Sequence, residues 1–139
     1  MDHQDAVTWA ARRTGLWNAH HAAALAADHA SDGVVHSALA GVVRGRTAIE
    51  ELYQRWFDAF PDLQFETDPP FAQSDRIAVF WTISGAHHGP FLGIAPTERR
   101  LRFSGAFLYE MVQGAIASER RIVDFIGVVE QAFPHHAGD

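Results

Sequence analysis

Apolar residues recur at helical spacing in the first part of the chain and at strand spacing after residue 62. In residues 4–28, QDAVTWAARRTGLWNAHHAAALAAD, the positions Val7, Ala10, Ala11, Leu16, Trp17, Ala24 and Leu25 follow a helical period. They predict two helices, or one kinked helix, broken near Thr14 and Gly15 or at Asn18. SDG at 31–33 is a turn signal, and the apolar run Val34 to Leu39 predicts a brief strand. Residues 45–62, GRTAIEELYQRWFDAFPD, predict a helix opened by a Thr47 cap, with Glu50 three positions on as in a capping box, and stopped by Pro61. The period then becomes two. Residues 63–67, 76–87, 101–112 and 115–126 each predict a strand, with turns at QSD, VQG and the long stretch GAHHGPFLGIAPTERR at 85–100. Helices followed by an antiparallel meander predict an α+β domain with helices on one face of a curved sheet. One domain over 1–139 is expected, its core about 4–131 and its tail 132–139 outside the core.

Strand parity decides which polar groups could do chemistry. In 76–87 the set Ile77, Val79, Trp81, Ile83, Gly85 and His87 alternates with Ala78, Phe80, Thr82, Ser84 and Ala86, and either set could be buried. In 115–126 strict alternation puts Ile116, Ser118, Arg120, Ile122, Asp124 and Ile126 on one face. That mixture suits a cavity wall holding few polar groups, and it makes Asp124 the leading candidate for chemistry. Glu119, Arg121, Val123 and Phe125 then face outward and offer a surface for pairing two copies.

Composition narrows the partners. The chain has a formal charge of −6, without the basic surface that attracts phosphate backbones or anionic lipids. Nucleic acid is not expected. No cysteine is present, which removes disulfides, thiolate metal sites and a thiol nucleophile. The start, MDHQDAVTWAARR, lacks the apolar run of a signal peptide or membrane span, so a cytoplasmic protein is expected. His20, His21, His29 and His36 follow no recognised ligand spacing, and the neighbours His87 and His88 would point to opposite faces of a strand; no metal site is expected. Ten Phe, four Trp and two Tyr exceed the needs of a small core and could also wall a pocket for a ring-shaped ligand.

Phe60, Pro61 and Asp62 closing a helix, then FWTISGAHHGPFLGIAPTERR, then Phe103 to Gly105, and Gly114 ten residues before Asp124 together resemble the SnoaL-like polyketide cyclases, or ester cyclases, of the nuclear transport factor 2 superfamily. The resemblance spans roughly residues 15–131. It rests most on His87, Gly89, Phe91, Gly93, Pro96 and Thr97.

The resemblance implies a cone-shaped α+β barrel, in which a strongly curved antiparallel or mixed sheet wraps helices and encloses a pocket. It implies cofactor-free ring closure by intramolecular aldol condensation, with Asp124 as general acid/base. A carboxylate among Trp, Ile and Phe loses solvation and becomes a better base. His87, His36 and Tyr109 are candidate donors to the enolate, and Trp17, Trp56, Phe60, Trp81, Phe91, Phe107 and Arg120 are candidate binding residues. Phe107 and Tyr109 stand where characterised cyclases carry Gln and His, and Arg120 stands where a Trp is frequent. The resemblance also implies a hydrophobic small-molecule ligand and a homodimer. Other readings stay open: an ion pair of Asp124 with Arg102, Arg120 or Arg121, a water-adding epoxide hydrolase built on Arg120 and Asp124, and a non-catalytic binding or dimerisation module.

Overall fold

A computed structural model describes residues 1–37 and 40–134. Its elements run α1 (His3–Asn18), α2 (Ala22–Ala27), β1 (His29–Ser37), β2 (Gly41–Arg44), α3 (Arg46–Ala59), β3 (Gln64–Thr67), β4 (Phe71–Gln73), β5 (Arg76–Ala86), β6 (Arg100–Val112), β7 (Ala115–Val123) and α4 (Phe125–Ala132). The strands form one sheet in the order β2-β1-β7-β6-β5-β3, with β4 also paired to β5. Among the described residues only β1 and β7 pair in parallel, so the predicted meander is the antiparallel centre of a mixed sheet. This is the expected α+β architecture, an open cone with helices inside the curved sheet.

The break between the first helices falls at Asn18, and Gly15 lies within α1. Asn18 is suited to ending a helix because its amide bonds both ways with the backbone of Phe65, 2.8 and 2.9 Å. Helix α3 buries Ile49, Leu52, Tyr53, Trp56 and Phe57, the stripe its sequence period lays along one side. Its start differs from expectation. Gly45 occupies the N-cap with φ 85° and no side-chain cap forms, because the Gly45 N–H bonds Gly33 O and Arg46 bonds His29 O instead. A capping box does occur in the chain, at Asp2 and Asp5. β1 begins five residues before the predicted strand and takes in SDG. Its pairing with β7 shifts register between His29 and Val34, leaving Ser31 and Asp32 exposed. Leu39, the predicted end of that strand, lies outside the described residues, as does most of the tail.

Rings fill the space between helices and sheet. Trp17 is fully buried and touches Tyr53, Trp56, Phe57, Phe65 and Phe107 at centroid distances of 4.7–5.9 Å. Packing of this kind makes Trp17→Ala cost about 3–5 kcal/mol. Gly105 is required here: a Cβ on it would collide with the Trp81 ring and the Ile122 carbonyl, so the FSG sequence lets Trp81 cross β6 closely.

The stretch 85–100 does more than join two strands. The His88 and Gly89 N–H groups both donate to Ala59 O, at 2.9 and 3.1 Å, satisfying a carbonyl at the end of α3 that the helix leaves free. Gly89 lies so close to Asp58 and Ala59 that a Cβ has no room. The segment therefore anchors on α3 and presents Pro90 to Gly93 as a rim.

Strand β7 ends at Val123, three residues earlier than predicted, and α4 follows. Asp124 starts that helix, its carboxylate accepting the Gly127 N–H at 3.0 Å. The Gln131 side chain then bonds both backbone groups of Arg102, at 2.7 and 2.6 Å, and fixes α4 against β6.

Candidate active site

Which side chains of β7 enter the cone is decided by one bulge. Glu110 pairs with Ser118 but Met111 pairs with Ile116, so Ala117 is an extra residue on β7. Such an insertion reverses the facing of everything beyond it. Ile116 is buried as expected, but then Glu119 and Arg121 point inward, 0% and 5% exposed, while Arg120 and Ile122 face out. The predicted assignment of faces is thus inverted over 118–123.

Glu119 and Arg121 meet a polar cluster supplied by three other elements. Arg13 occupies the apolar stripe Ala6, Ala10, Arg13, Trp17 of α1 and is 3% exposed. Its guanidinium donates to Asp28 at 2.7 Å, to Leu25 O at 3.2 Å and to the Tyr53 hydroxyl at 2.6 Å. Tyr53 donates to Glu119 Oε1 at 3.1 Å, and Arg121 Nε donates to Glu119 Oε2. His29 Nε2 lies 2.8 Å from the same hydroxyl. Since the single Tyr53 proton goes to Glu119, His29 is assigned as the Nε2–H tautomer, leaving Nδ1 without a partner. The Tyr53 ring is sandwiched by Arg13 and Arg121, 5.7 and 4.8 Å from its centroid.

Electrostatics hold the cluster in one charge state. Burial alone would raise the Glu119 carboxyl, but Arg121 and Arg13, joined by His29 once that ring is protonated, hold it below the usual range. Burial would likewise discharge Arg13 and Arg121, and the anionic and phenolic oxygens around them keep both more basic than usual. The Tyr53 phenol is pushed up to about 12, mainly by burial, and that of Tyr109 is raised for the same reason. Burial lowers His29 to about 4, so at neutral pH it is uncharged and its 3.7 Å approach to Glu119 is no ion pair. The formal charges of Arg13, Arg121, Asp28 and Glu119 then cancel.

Arg121 also borders a cavity of about 420 Å³. Leu52 and Trp56 of α3, Pro90, Phe91 and Leu92 of the rim and Val123 of β7 supply its apolar wall. Ser37, Arg55 and Arg121 are the polar side chains among its described lining residues. An apolar cleft with few polar groups is the usual form of a small-molecule site.

Of the predicted site residues, the structure brings Trp56 and Phe91 to this cavity. Trp17, Phe60, Trp81, Phe107 and Tyr109 are buried in the ring-packed core, outside its lining. His36 and Arg120 are cross-strand neighbours, both exposed on the outer face. His87 is fully buried behind the rim: its Nδ1 accepts the Thr97 N–H at 3.3 Å and lies 3.0 Å from the Thr97 hydroxyl, and burial lowers its pKa. Asp124 is exposed and borders a depression on the outer face with Phe80, Ser104 and Ile122. The desolvation expected of it is absent.

Glu119 and Arg121 were assigned to the outer face because strict alternation was carried through β7 without the bulge at Ala117. A legible signal was Arg13, a cation on an otherwise apolar helical stripe, which requires a buried acid. The histidines considered for metal separate: His21 caps α2, His20 bonds Leu63 O, His29 joins the cluster and His36 is exposed. Among the described residues no three His, Asp or Glu side chains group to hold a metal, and no helix there is long and apolar enough to cross a membrane.

A family profile described as SnoaL-like polyketide cyclase matches residues 8–132. The chain belongs to this family. No curated protein matches the chain in sequence. Among solved structures this SnoaL-like protein is similar to AclR of Streptomyces galilaeus, a candidate hydroxylase, with TM-score 0.82 and 21% identity over 97% of this chain and 100% of that one. IdmH of Streptomyces antibioticus, a candidate polyketide cyclase, gives TM-score 0.75 and 21% identity over 94% and 98%. SalBIII, an epoxide hydrolase/cyclase-like enzyme of pyran ring formation in polyether salinomycin, gives 0.75 and 17% over 91% and 95%. At these identities the likeness establishes the nuclear transport factor 2-like fold. An epoxide hydrolase needs two carboxylates bracketing an Arg around one water, and the hydrogen-bonding carboxylate found on Arg121 is that of Glu119.

Proposed function

We propose that this SnoaL-like protein is a cytoplasmic, cofactor-free enzyme that acts on a hydrophobic carbonyl compound of polyketide type, closing or isomerising it through an enolate. It works as a homodimer paired through the outer face of its sheet. The observation that carries this reading is Arg121, a buried cation held by Glu119 at the wall of a largely apolar cavity. A guanidinium fixed by Glu119 at such a wall stabilises an oxyanion through preorganised N–H groups, and no reorganisation is needed when the charge develops. A proton between two carbonyls is already acidic, so base from solvent at the cleft mouth takes it, and stabilising the enolate left behind and holding the second carbonyl close supply most of the rest that ring closure requires.

In this reading Asp124 is the cap of α4, and His87 is a positioning residue that holds the rim through Thr97. Arg13 helps keep Glu119 anionic, and the Tyr53 hydroxyl, itself held by Arg13 and neutral His29, keeps it in place, which in turn orients Arg121.

A second reading has its own support. No carboxylate appears among the described lining residues, which also suits a pocket that binds without chemistry. One experiment separates the two. The purified protein is incubated with 1,3-dicarbonyl polyketide mimics in deuterated buffer, and α-proton exchange and ring closure are followed by NMR. Exchange above the buffer rate, reduced in Arg121→Lys and retained in Asp124→Asn, is the expected result. Binding without exchange would establish the carrier, and loss of exchange in Asp124→Asn alone would return the base to Asp124.

A further inference from the structure

The described lining of the cavity contains two guanidinium groups and no acid, in a chain whose formal charge is −6. Arg121 is the inner one, 5% exposed; its Nε is taken by Glu119, and its Nη2 is buried with no hydrogen-bond partner among the described residues. A guanidinium that is 5% exposed at a largely apolar wall is poorly hydrated, so an anion that reaches it gains more than it would at the surface. Arg55 is the outer one, exposed at the rim on the same face of α3 as Leu52. Between them lie Trp56 and Phe91, whose rings are 4.9 Å apart.

We infer that the natural ligand is a hydrophobic anion: a flat apolar skeleton carrying a delocalised oxyanion, a carboxylate or a stabilised enolate, that enters past Arg55 and seats its charge toward Arg121. A neutral ester of the same skeleton keeps the contacts with Trp56, Phe91 and Leu52 and loses the charge-assisted bond. The cavity therefore selects the free acid or enolate over the ester. This inference rests on the pocket assigned above and not on turnover within it.

The test measures binding through quenching of tryptophan fluorescence, with titration calorimetry as a second readout. The probes are 2-naphthoate, its methyl ester, and the enolate of 2-phenylindane-1,3-dione. The expected result is that an anion binds about tenfold or more tightly than the ester, the worth of one charge-assisted hydrogen bond. The tighter of the two anions identifies the headgroup. Arg121→Gln alone leaves Glu119 buried and unpaired, so the variant is Glu119→Gln with Arg121→Gln, its folding checked by circular dichroism. The anion preference should vanish in that pair and fall about two- to threefold in Arg55→Gln, a weaker surface effect.

Equal affinity for acid and ester, or no binding of any probe, overturns the inference and leaves Arg121 as a structural ion pair whose spare N–H is met by water. Preference retained in the double variant overturns it too, since the anion then sits elsewhere. Absence of proton exchange with anion preference intact would instead count against the enzyme reading alone.

Discussion

Tyr53 links an arginine, a histidine and a glutamate through one hydroxyl, with a second arginine, Arg121, over its ring, and the consequences of burying so many polar groups can be measured. The clearest is pH dependence. His29 has its pKa lowered to about 4 in the folded chain against 6.5 for the free side chain. Between those values the unfolded chain binds the proton and the folded chain does not, so stability rises with pH across that window. It is fully present above about pH 6.5 and is lost as the pH falls toward 4. From pH 7 to pH 4.5 the loss assigned to His29 is about 2–3 kcal/mol. Urea denaturation at the two pH values measures it. His29→Gln should remove most of that difference, and an unchanged slope would place the titrating group elsewhere. Glu119 and Asp62, both held below their ordinary range, add to acid lability only below about pH 4.5.

At the scale of elements, the end of β7 decides between two roles for one carboxylate. Asp124 O accepts the Val128 N–H at 3.2 Å and the side chain accepts that of Gly127, which is what an N-cap does. Asparagine caps as well as aspartate. Asp124→Asn should therefore leave thermal stability within a few tenths of a kcal/mol, and Asp124→Ala should lower it by about 1 kcal/mol. Equal losses in both variants would show that the charge, not the cap, matters there.

The same boundary shows what a sequence discloses. The helical stripe of α3, a helix break near Gly15 or at Asn18, the long strands β5 and β6 and the turn-rich connection at 85–100 follow from period and turn chemistry, because each is decided locally. The facing of Glu119 is not. It depends on one extra residue, Ala117, whose bulge is set by pairing with β6. Alternation carried through without that bulge put Asp124 inside and Arg121 outside. Short β2 and β4 and the eight-residue α4 also escaped, because pairing and docking rather than local pattern stabilise them.

For the whole molecule, the bulge that turns Arg121 inward also turns Ile122 outward, and this relocates the expected dimer surface. Phe80 pairs with Ala106 and Ala106 with Ile122, a row across the three central strands on the outer face. Phe80 is 51% exposed and Ile122 67%, with Phe71, 66% exposed, against the Phe80 ring at 6.4 Å. Large apolar side chains exposed in one contiguous row on the middle of a sheet are the signature of a covered surface rather than of scattered exposure. A two-fold pairing would bury the row against its own copy. Ile122→Glu places a charge in the row without touching the cavity or the buried cluster. Sedimentation velocity at micromolar concentration should give the mass of two chains for the wild type and of one chain for the variant, with unchanged circular dichroism. A one-chain mass for the wild type would leave the outer face unpaired and remove the dimer from the proposed function. The cavity opens on the inner side of the sheet, so binding of 2-naphthoate should be the same in dimer and variant.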